Sequence, residues 1–209
     1  MPITINGSGT VTGISAGGLP DASVNTEDLN AGTASNGQKL VASGASGAMT
    51  WGSSIVSGTA QNSTSGTSID FTGIPSWVKR ITVMFNGVST NGTSNHQVQI
   101  GSGSIDATSY VSSAAKCYNT GASVAQSTTG FITTSGIGAA DLFYGAMTLT
   151  LIGSNTWSAT FATSMAISVT AAHFGGGTKT LSGTLDRIRI TTVNGTDTFD
   201  AGSINILYE

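Results

Sequence analysis

Large apolar residues recur at every second position through much of the chain after residue 57, and this spacing constrains the fold more than any other feature. In one such run Ile81, Val83 and Phe85 alternate with polar or smaller residues. Residues two apart share one face of a β-strand, whereas a helix needs a period of 3.6. The other alternating segments are 69–71, 98–100, 147–151, 157–161, 165–169, 185–190 and 204–208.

The connections between these segments are typical of antiparallel sheets. Turns rich in Gly, Ser and Asn, such as 153–156 and 194–197, match hairpin connections. Many short strands separated by such turns favour a sandwich or a barrel. The predicted fold class is therefore all-β, with an antiparallel, jelly-roll-like β-sandwich over residues 57–209.

Residues 1–56 form a second region of different composition. Large apolar side chains are few there, Gly, Ala, Ser, Thr and Asn dominate, and Trp51 is the one large aromatic residue. Such a segment cannot bury enough apolar surface to offset the entropy lost on ordering its backbone. We therefore expect an extended region that needs a partner, either further copies of itself or a socket in a larger particle.

Charge is scarce throughout the sequence. Charged residues make up 8% of the chain, against about 25% in an average soluble domain. The surface must then consist largely of Ser, Thr, Asn, Gln and Gly, which can bond to sugars, water or neighbouring chains. The seven basic residues are scattered and form no stripe, so we do not expect nucleic-acid binding.

Signals for export or membrane insertion are not seen in the sequence. The start of the chain, Met1 to Asn6, lacks the basic and apolar parts of a signal peptide. No apolar run approaches the roughly 20 residues of a membrane span. We expect synthesis in a cytoplasm, no membrane insertion and, because Cys117 is the single cysteine, no intrachain disulfide.

The reactive side chains form no catalytic pattern, so no catalytic residue is predicted. Glycan hydrolysis needs a pair of carboxylates, and Asp197 and Asp200 lie close in sequence but in a turn, where Asp commonly accepts bonds from backbone N–H groups. No Gly-x-Ser-x-Gly elbow precedes a helix. A metal would need copies of one histidine gathered on a symmetry axis, and we expect the histidines to face solvent or be hydrogen-bonded. No metal and no cofactor are predicted.

Loops rich in amides, hydroxyls and aromatic rings are the candidate receptor-binding sites. Loops on a rigid scaffold commonly carry recognition, although an aromatic side chain there has a competing interpretation as a core or interface residue. The three glycines 175–177 indicate a flexible loop. The candidate receptor-binding residues are Asn91, Asn95, His96, Tyr110, Tyr118, Phe143, Tyr144, His173 and Phe174.

Three parts of the sequence resemble tail fibre proteins of tailed bacteriophages, including those that infect cyanobacteria and other aquatic bacteria. They are 4–10 with 17–24, 35–40 with 49–51, and 70–81 with its echo at 195–206. The second is typical of fibre shafts in general. The Phe-Thr-Gly-Ile-Pro and Phe-Asp-Ala-Gly motifs of the third are more specific to distal fibre domains.

The resemblance implies a short tail fibre on a virion, formed as an intertwined homotrimer. Residues 1–56 would attach to a phage tail or baseplate protein and form the shaft. Residues 57–209 would form the distal domain that binds a host surface glycan or outer-membrane component. A head-decoration or collar fibre of the virion is an alternative, and a glycan-degrading tail enzyme is the interpretation that the motifs favour least.

Overall fold

The computed structural model describes residues 38–43, 48–53, 55–166 and 170–209. All regular structure in these ranges is β-strand and every strand pairing is antiparallel, which confirms the predicted all-β class. Most of the predicted region 1–56 lies outside the described residues, as does the end of the segment 165–169. The chain divides into two compact units, Met1–Ser54 and Ile55–Glu209, whereas the predicted boundary follows residue 56.

The described residues of the first unit form one hairpin. Strand β1 (Gln38–Ser43) pairs with β2 (Ala48–Ser53), and Leu40 lies opposite Trp51. A lone two-stranded hairpin is marginally stable in water. The expectation that this region needs a partner stays a prediction, and the marginal stability of a lone hairpin is a physical reason for it.

The second unit contains two sheets. Its strands are β3 (Val56–Ser57), β4 (Gln61–Asn62), β5 (Ser68–Thr72), β6 (Arg80–Thr90), β7 (His96–Ser102), β8 (Ser104–Asp106), β9 (Val111–Tyr118), β10 (Gly121–Ser127), β11 (Phe131–Ile132), β12 (Leu142–Gly153), β13 (Thr156–Ala166), β14 (Ala171–Thr180), β15 (Arg187–Thr192) and β16 (Phe199–Tyr208). The large sheet has the order β10-β9-β14-β13-β12-β6-β16-β3, with β4 also on β16, and the small sheet has the order β11-β7-β15-β5, with β8 on β7.

One apolar core lies between the two sheets. Ile81 and Val83 of the large sheet and Ile188 and Ile190 of the small sheet are at most 1% exposed and belong to the same cluster. All the predicted alternating segments except 165–169 supply apolar side chains to this core, because alternate side chains of a strand share a face; Met165 belongs to a second, smaller cluster with Ile137 and Ala171. Those segments are β5, β6, β7, β12, β13, β15 and β16.

Three further strands, β9, β10 and β14, lack a clear alternation of large apolar residues. Strand β14 includes Gly175 and Gly176, so the expectation of a flexible loop there is wrong. A Cβ atom at Gly175 would clash with the carbonyl oxygen of Ser113, and one at Gly176 with that of Ala159. Glycine at these positions allows the backbones of the neighbouring strands β9 and β13 to approach closely.

The two predicted hairpin turns differ in outcome. Ser154 and Asn155 have φ values of 46° and 60° and join the paired strands β12 and β13, as a two-residue hairpin turn requires. The turn 194–197 is not a hairpin, because it leads from β15 in the small sheet to β16 in the large sheet. Both edges of β15 are already paired with β7 and β5, so β16 has no edge of β15 to join.

Candidate functional site

The end of the second unit farthest from Ile55 carries two loops that cross between the sheets. Ile55 precedes β3, which pairs with the last residues of β16 and so lies near the first residues of β6. The last residues of β6 lead into the loop 91–95 at the opposite end, beside the loop 193–198. We call this the loop end.

Asp197 joins the two loops. Its carboxylate accepts a hydrogen bond from the backbone N–H of Ser94 at 2.9 Å and one from Asn194 Nδ2 at 2.6 Å. Asn91 Oδ1 accepts a bond from the N–H of Thr198 at 2.9 Å. Bonds to a carboxylate are stronger than those between neutral groups, so the loops are held in one mutual arrangement.

A third loop, 133–141, is tied to the same end. Asn95 Oδ1 accepts a bond from the N–H of Gly136 at 2.9 Å. The N–H of Ala140 donates to the carbonyl oxygen of Thr90 at 3.0 Å. These bonds bridge segments distant in sequence, and they make the loop end a continuous platform.

The fully exposed side chains of the loops 91–95 and 193–198 are uncharged, whereas the Asp197 carboxylate between them is half-buried and Asp200 is exposed at the start of β16. Asn91, Thr93, Asn194 and Thr196 are exposed, and amides and hydroxyls both donate and accept hydrogen bonds. Such groups match the hydroxyls of a neutral glycan. Loops already held in place also lose less conformational entropy on binding.

Two buried histidines lie beneath the loop end. His96 and His173 are 2% and 1% exposed, and the ring of Phe143 lies between them with centroids 5.6 Å and 6.1 Å away. In this described part of the chain, Nε2 of His96 and both ring nitrogens of His173 have no hydrogen-bond partner. The expectation of solvent-facing histidine side chains is therefore wrong for both, and the alternative of a hydrogen-bonded side chain is wrong for His173.

Burial keeps both histidines neutral. Loss of solvation, strengthened by the neighbouring His173, lowers the pKa of His96 from 6.5 to about 4. Loss of solvation also lowers the pKa of His173 to about 4, with a smaller contribution from the Lys116 ammonium, against which Asp141 acts. Lys116 is itself buried, and its Nζ donates to the carbonyl oxygen of Gly136 at 2.5 Å.

The structure brings all the predicted receptor-binding residues except Tyr110 toward the loop end, but it exposes only some of them. Asn91 is exposed, Phe174 is 49% exposed on the outer face of the large sheet, and Asn95, Tyr118 and Tyr144 are half-buried. At most 2% of the residue is exposed for His96, Tyr110, Phe143 and His173. Direct receptor contact by these four is therefore corrected: His96, Phe143 and His173 pack the interior beneath the loop end, and Tyr110 is buried elsewhere.

Tyr110 lies apart, where β9 begins. Its hydroxyl donates to the carbonyl oxygen of Asp106 and accepts from the N–H of Ile100, each at 2.8 Å. A surface cavity of about 400 Å³ lies beside it, lined in part by Gln126 and Thr128. The Tyr110 hydroxyl is already used within the fold, and the residues that line this cavity are not residues of the loop end.

The hydrogen bonds that Ser94 and Asn194 make between the two loops were not predicted from the sequence. Asn194 Oδ1 accepts bonds from Thr196 N at 3.0 Å and from Thr192 Oγ1 at 2.7 Å, which is the local bonding of an Asx-turn. The Asn-Gly-Thr-Asp run signals such a turn. Its partner loop is 100 residues away in sequence, and no local pattern reveals that pairing.

Within residues 38–43, 48–53, 55–166 and 170–209, no cluster of three or more His, Cys, Asp and Glu side chains is placed to hold a metal ion. The same residues include no helix with the length and apolarity needed to cross a membrane. No protein family, curated protein or solved structure matches the chain.

Proposed function

We propose that this chain is a short tail fibre of a tailed bacteriophage. Residues 1–56 attach it to a tail or baseplate protein, and residues 57–209 bind the host cell surface. The support is the resemblance of three sequence stretches to such fibres, together with a surface poor in charge. The protein is made in the host cytoplasm and works as part of the virion.

The loop end is the observation that best supports host binding. Its loops are joined by hydrogen bonds, the fully exposed side chains of the loops 91–95 and 193–198 are uncharged, and it lies at the opposite end of the second unit from Ile55. A fibre head needs its recognition surface away from the virion. The chemistry of Asn91, Thr93, Asn194 and Thr196 suits a neutral host glycan, or a neutral sugar carried by an outer-membrane component.

The finer architecture belongs to the same proposal. The sandwich is jelly-roll-like, a description supported by the eight connections that pass from one sheet to the other, at β4–β5, β5–β6, β6–β7, β8–β9, β10–β11, β11–β12, β14–β15 and β15–β16. The fibre is an intertwined homotrimer with a short N-terminal shaft. The mass of the purified full-length protein tests this, because a trimer has three times the 20.9 kDa of one chain.

Cell binding by loop variants tests the recognition function. Fluorescently labelled full-length protein is titrated onto a panel of aquatic bacteria, and saturable binding is expected on at least one strain. Thr93→Arg places a bulky charge on the platform. We expect it to weaken binding about tenfold or more, as at a contact that contributes over 1.4 kcal/mol.

Ser182→Arg is the matched control, because Ser182 is exposed in the connection that precedes β15, away from the loop end. It should bind cells as the wild type does. Equal weakening by both variants would contradict a site at the loop end. Failure of the wild-type protein to bind any strain of the panel would contradict the host-binding function.

A further inference from the structure

The outer face of the large sheet, meaning the outward side chains of β10, β9, β14, β13 and β12, carries no charge in any of these fully described strands. An apolar row crosses it from strand to strand, because the residues are register partners. Extended onto β6, the row is Val124, Ala115, Phe174, Ala162, Ala146 and Met84. Hydroxyl-bearing residues and glycine flank this row on the side away from the loop end.

Polarity is inverted where β9, β10 and β14 meet. Lys116 and Lys179 point inward and are 9% and 4% exposed, whereas Val111 and Val124 point outward and are 72% and 68% exposed. Lysine is almost never buried unless it is paired, and valine is among the residues most often buried. A sheet whose outer face met only water would be more stable with the opposite arrangement.

The inward lysines are held by specific partners. Lys179 Nζ lies 2.5 Å from Asp106 Oδ2 and donates to the carbonyl oxygen of Thr108 at 2.7 Å. Lys116 Nζ donates to Gly136. Burying an ammonium group costs several kcal/mol before such partners offset it, so the fold keeps charge off the outer face at an energetic cost.

Exposed apolar side chains are concentrated on the same surface. The described chain exposes seven large apolar residues, and four of them, Val111, Val124, Ile152 and Phe174, lie on this face. Val124 and Phe174 belong to the apolar row, whereas Val111 lies at the start of β9 and Ile152 near the end of β12. A contiguous apolar row on a surface marks an interaction site in soluble proteins.

We infer that the outer face is an interface between copies of this chain, an inference that rests on the assembly part of the proposed function. Two identical faces repel each other if they carry a net charge, so a face that binds its own copies must be nearly uncharged. An unrelated partner could instead carry the opposite charge, and a charged face would then be no obstacle. Small side chains such as Ala115, Ala162 and Gly176 let sheets approach closely. Three such faces can close around a three-fold axis.

The size of the face fits this occupant. Five strands spaced about 4.8 Å apart span roughly 24 Å, and a length of about 30 Å along the strands gives roughly 700 Å². Specific protein interfaces bury about 800 Å² on each partner. The face is therefore large enough to hold copies together.

Cys117 is a native probe for this interface. It is the single cysteine of the chain, it is exposed, and it lies on β9 among the outward residues. We expect full-length wild-type protein to run at a multiple of the chain mass. Its Cys117 should react with a maleimide at least about tenfold more slowly than in the dissociated chain, since labelling then requires the interface to open.

Two Thr→Glu variants separate the faces. Thr160 is exposed on β13 beside the apolar row, and Thr72 is exposed on β5 of the small sheet. Thr160→Glu should weaken association about a hundredfold or more, because it places unpaired charges in the interface, and it should speed the labelling of Cys117. Thr72→Glu should leave both readouts at the wild-type values.

Several results would overturn the inference. They are a monomeric wild-type protein, Cys117 labelling as fast in wild type as in Thr160→Glu, or protection that requires added host glycan instead of a second copy. The proposed function fails separately. A chain that assembles through this face but binds no cells refutes host binding alone, whereas one that binds cells as a monomer refutes the interface alone.

Discussion

The two sheets of the second unit distribute polarity in opposite ways. In the small sheet, Ile188 and Ile190 face the core, while Arg187 and Arg189 face outward and pair with carboxylates. This is the pattern expected of an antiparallel sheet with one face in water. In the large sheet, β9 and β14 turn lysine inward and leave valine and phenylalanine outside.

Alternation and polarity therefore carry separate information about a strand. Alternation shows that a segment is a strand. The polarity of its outward positions shows what that face meets. By this criterion the small sheet faces solvent, and we infer that the outer face of the large sheet contacts other copies of the chain. Three experiments test this contrast.

Acidification should have the largest effect, because the inverted half of the large sheet buries His173 and its neighbour His96. A folded-state pKa of about 4, against 6.5 unfolded, means that the unfolded state binds more protons between these pH values. Stability is full above pH 6.5 and falls as the pH drops toward 4. Each histidine should cost about 2 kcal/mol of unfolding free energy by pH 5, measured by urea unfolding at several pH values.

A double variant, His96→Leu with His173→Leu, is the control for this pH effect. These are the two histidines of the chain, so the variant has no side chain that titrates near pH 6.5. Its unfolding free energy should change little between pH 7 and pH 5. The charged groups nearest the two rings, Lys116, Asp141 and Asp197, remain in place. A decline equal to that of the wild type would contradict the assignment.

Removing the carboxylate that pairs with one basic residue of each sheet, Lys179 of the large sheet and Arg189 of the small sheet, should give an intermediate effect. Asp106→Asn leaves the 3%-exposed Lys179 side chain without its ion pair, and we expect a loss of about 2–3 kcal/mol. Asp70→Asn breaks the Arg189 pair, whose side chains are 36% and 38% exposed, and should cost less than about 1 kcal/mol. Equal losses in chemical denaturation would show that inward and outward charges are not distinguished.

Val124→Ser should have the smallest effect on the single chain. Val124 is 68% exposed, and exposed substitutions usually change stability by less than about 0.5 kcal/mol. If the outer face is an interface, burial of this side chain contributes about 1.5 kcal/mol to association, and its loss weakens association about tenfold. Sedimentation over a range of concentrations measures the second quantity, and unfolding of the dissociated chain measures the first. Unchanged association would argue against the interface.

Sequence reasoning located the strands whose inward side is apolar and missed those whose inward side is polar. The alternation of Ile81, Val83 and Phe85 is enough to predict β6. Strand β14 has no such signal, because its inward positions hold His173, Gly175 and Lys179. Strand β9 carries a further clue, because its apolar Val111 and its charged Lys116 lie on opposite faces. Sequence alone does not show which of these two faces points inward, so the clue can be interpreted only in the structure.

The candidate site divides in the same manner. Asn91 and Asn95 were predicted from loop composition, and the structure places them at the loop end. His96 and Phe143 were predicted on the same grounds and are buried. Local sequence shows that a residue adjoins a loop, whereas burial depends on which distant segments, such as 193–198, pack over it.

The all-β class, the positions of the apolar strands and the scarcity of charge can be read from the sequence, because they depend on side-chain type and a spacing of two residues. The folded arrangement was needed to show which strands are neighbours, that Asp197 joins loops distant in sequence, and that Lys116 and Lys179 lie inside while Val124 and Phe174 lie outside. Those outcomes arise from contacts between segments far apart in the chain, which are formed by packing and hydrogen bonding and leave no local period to detect.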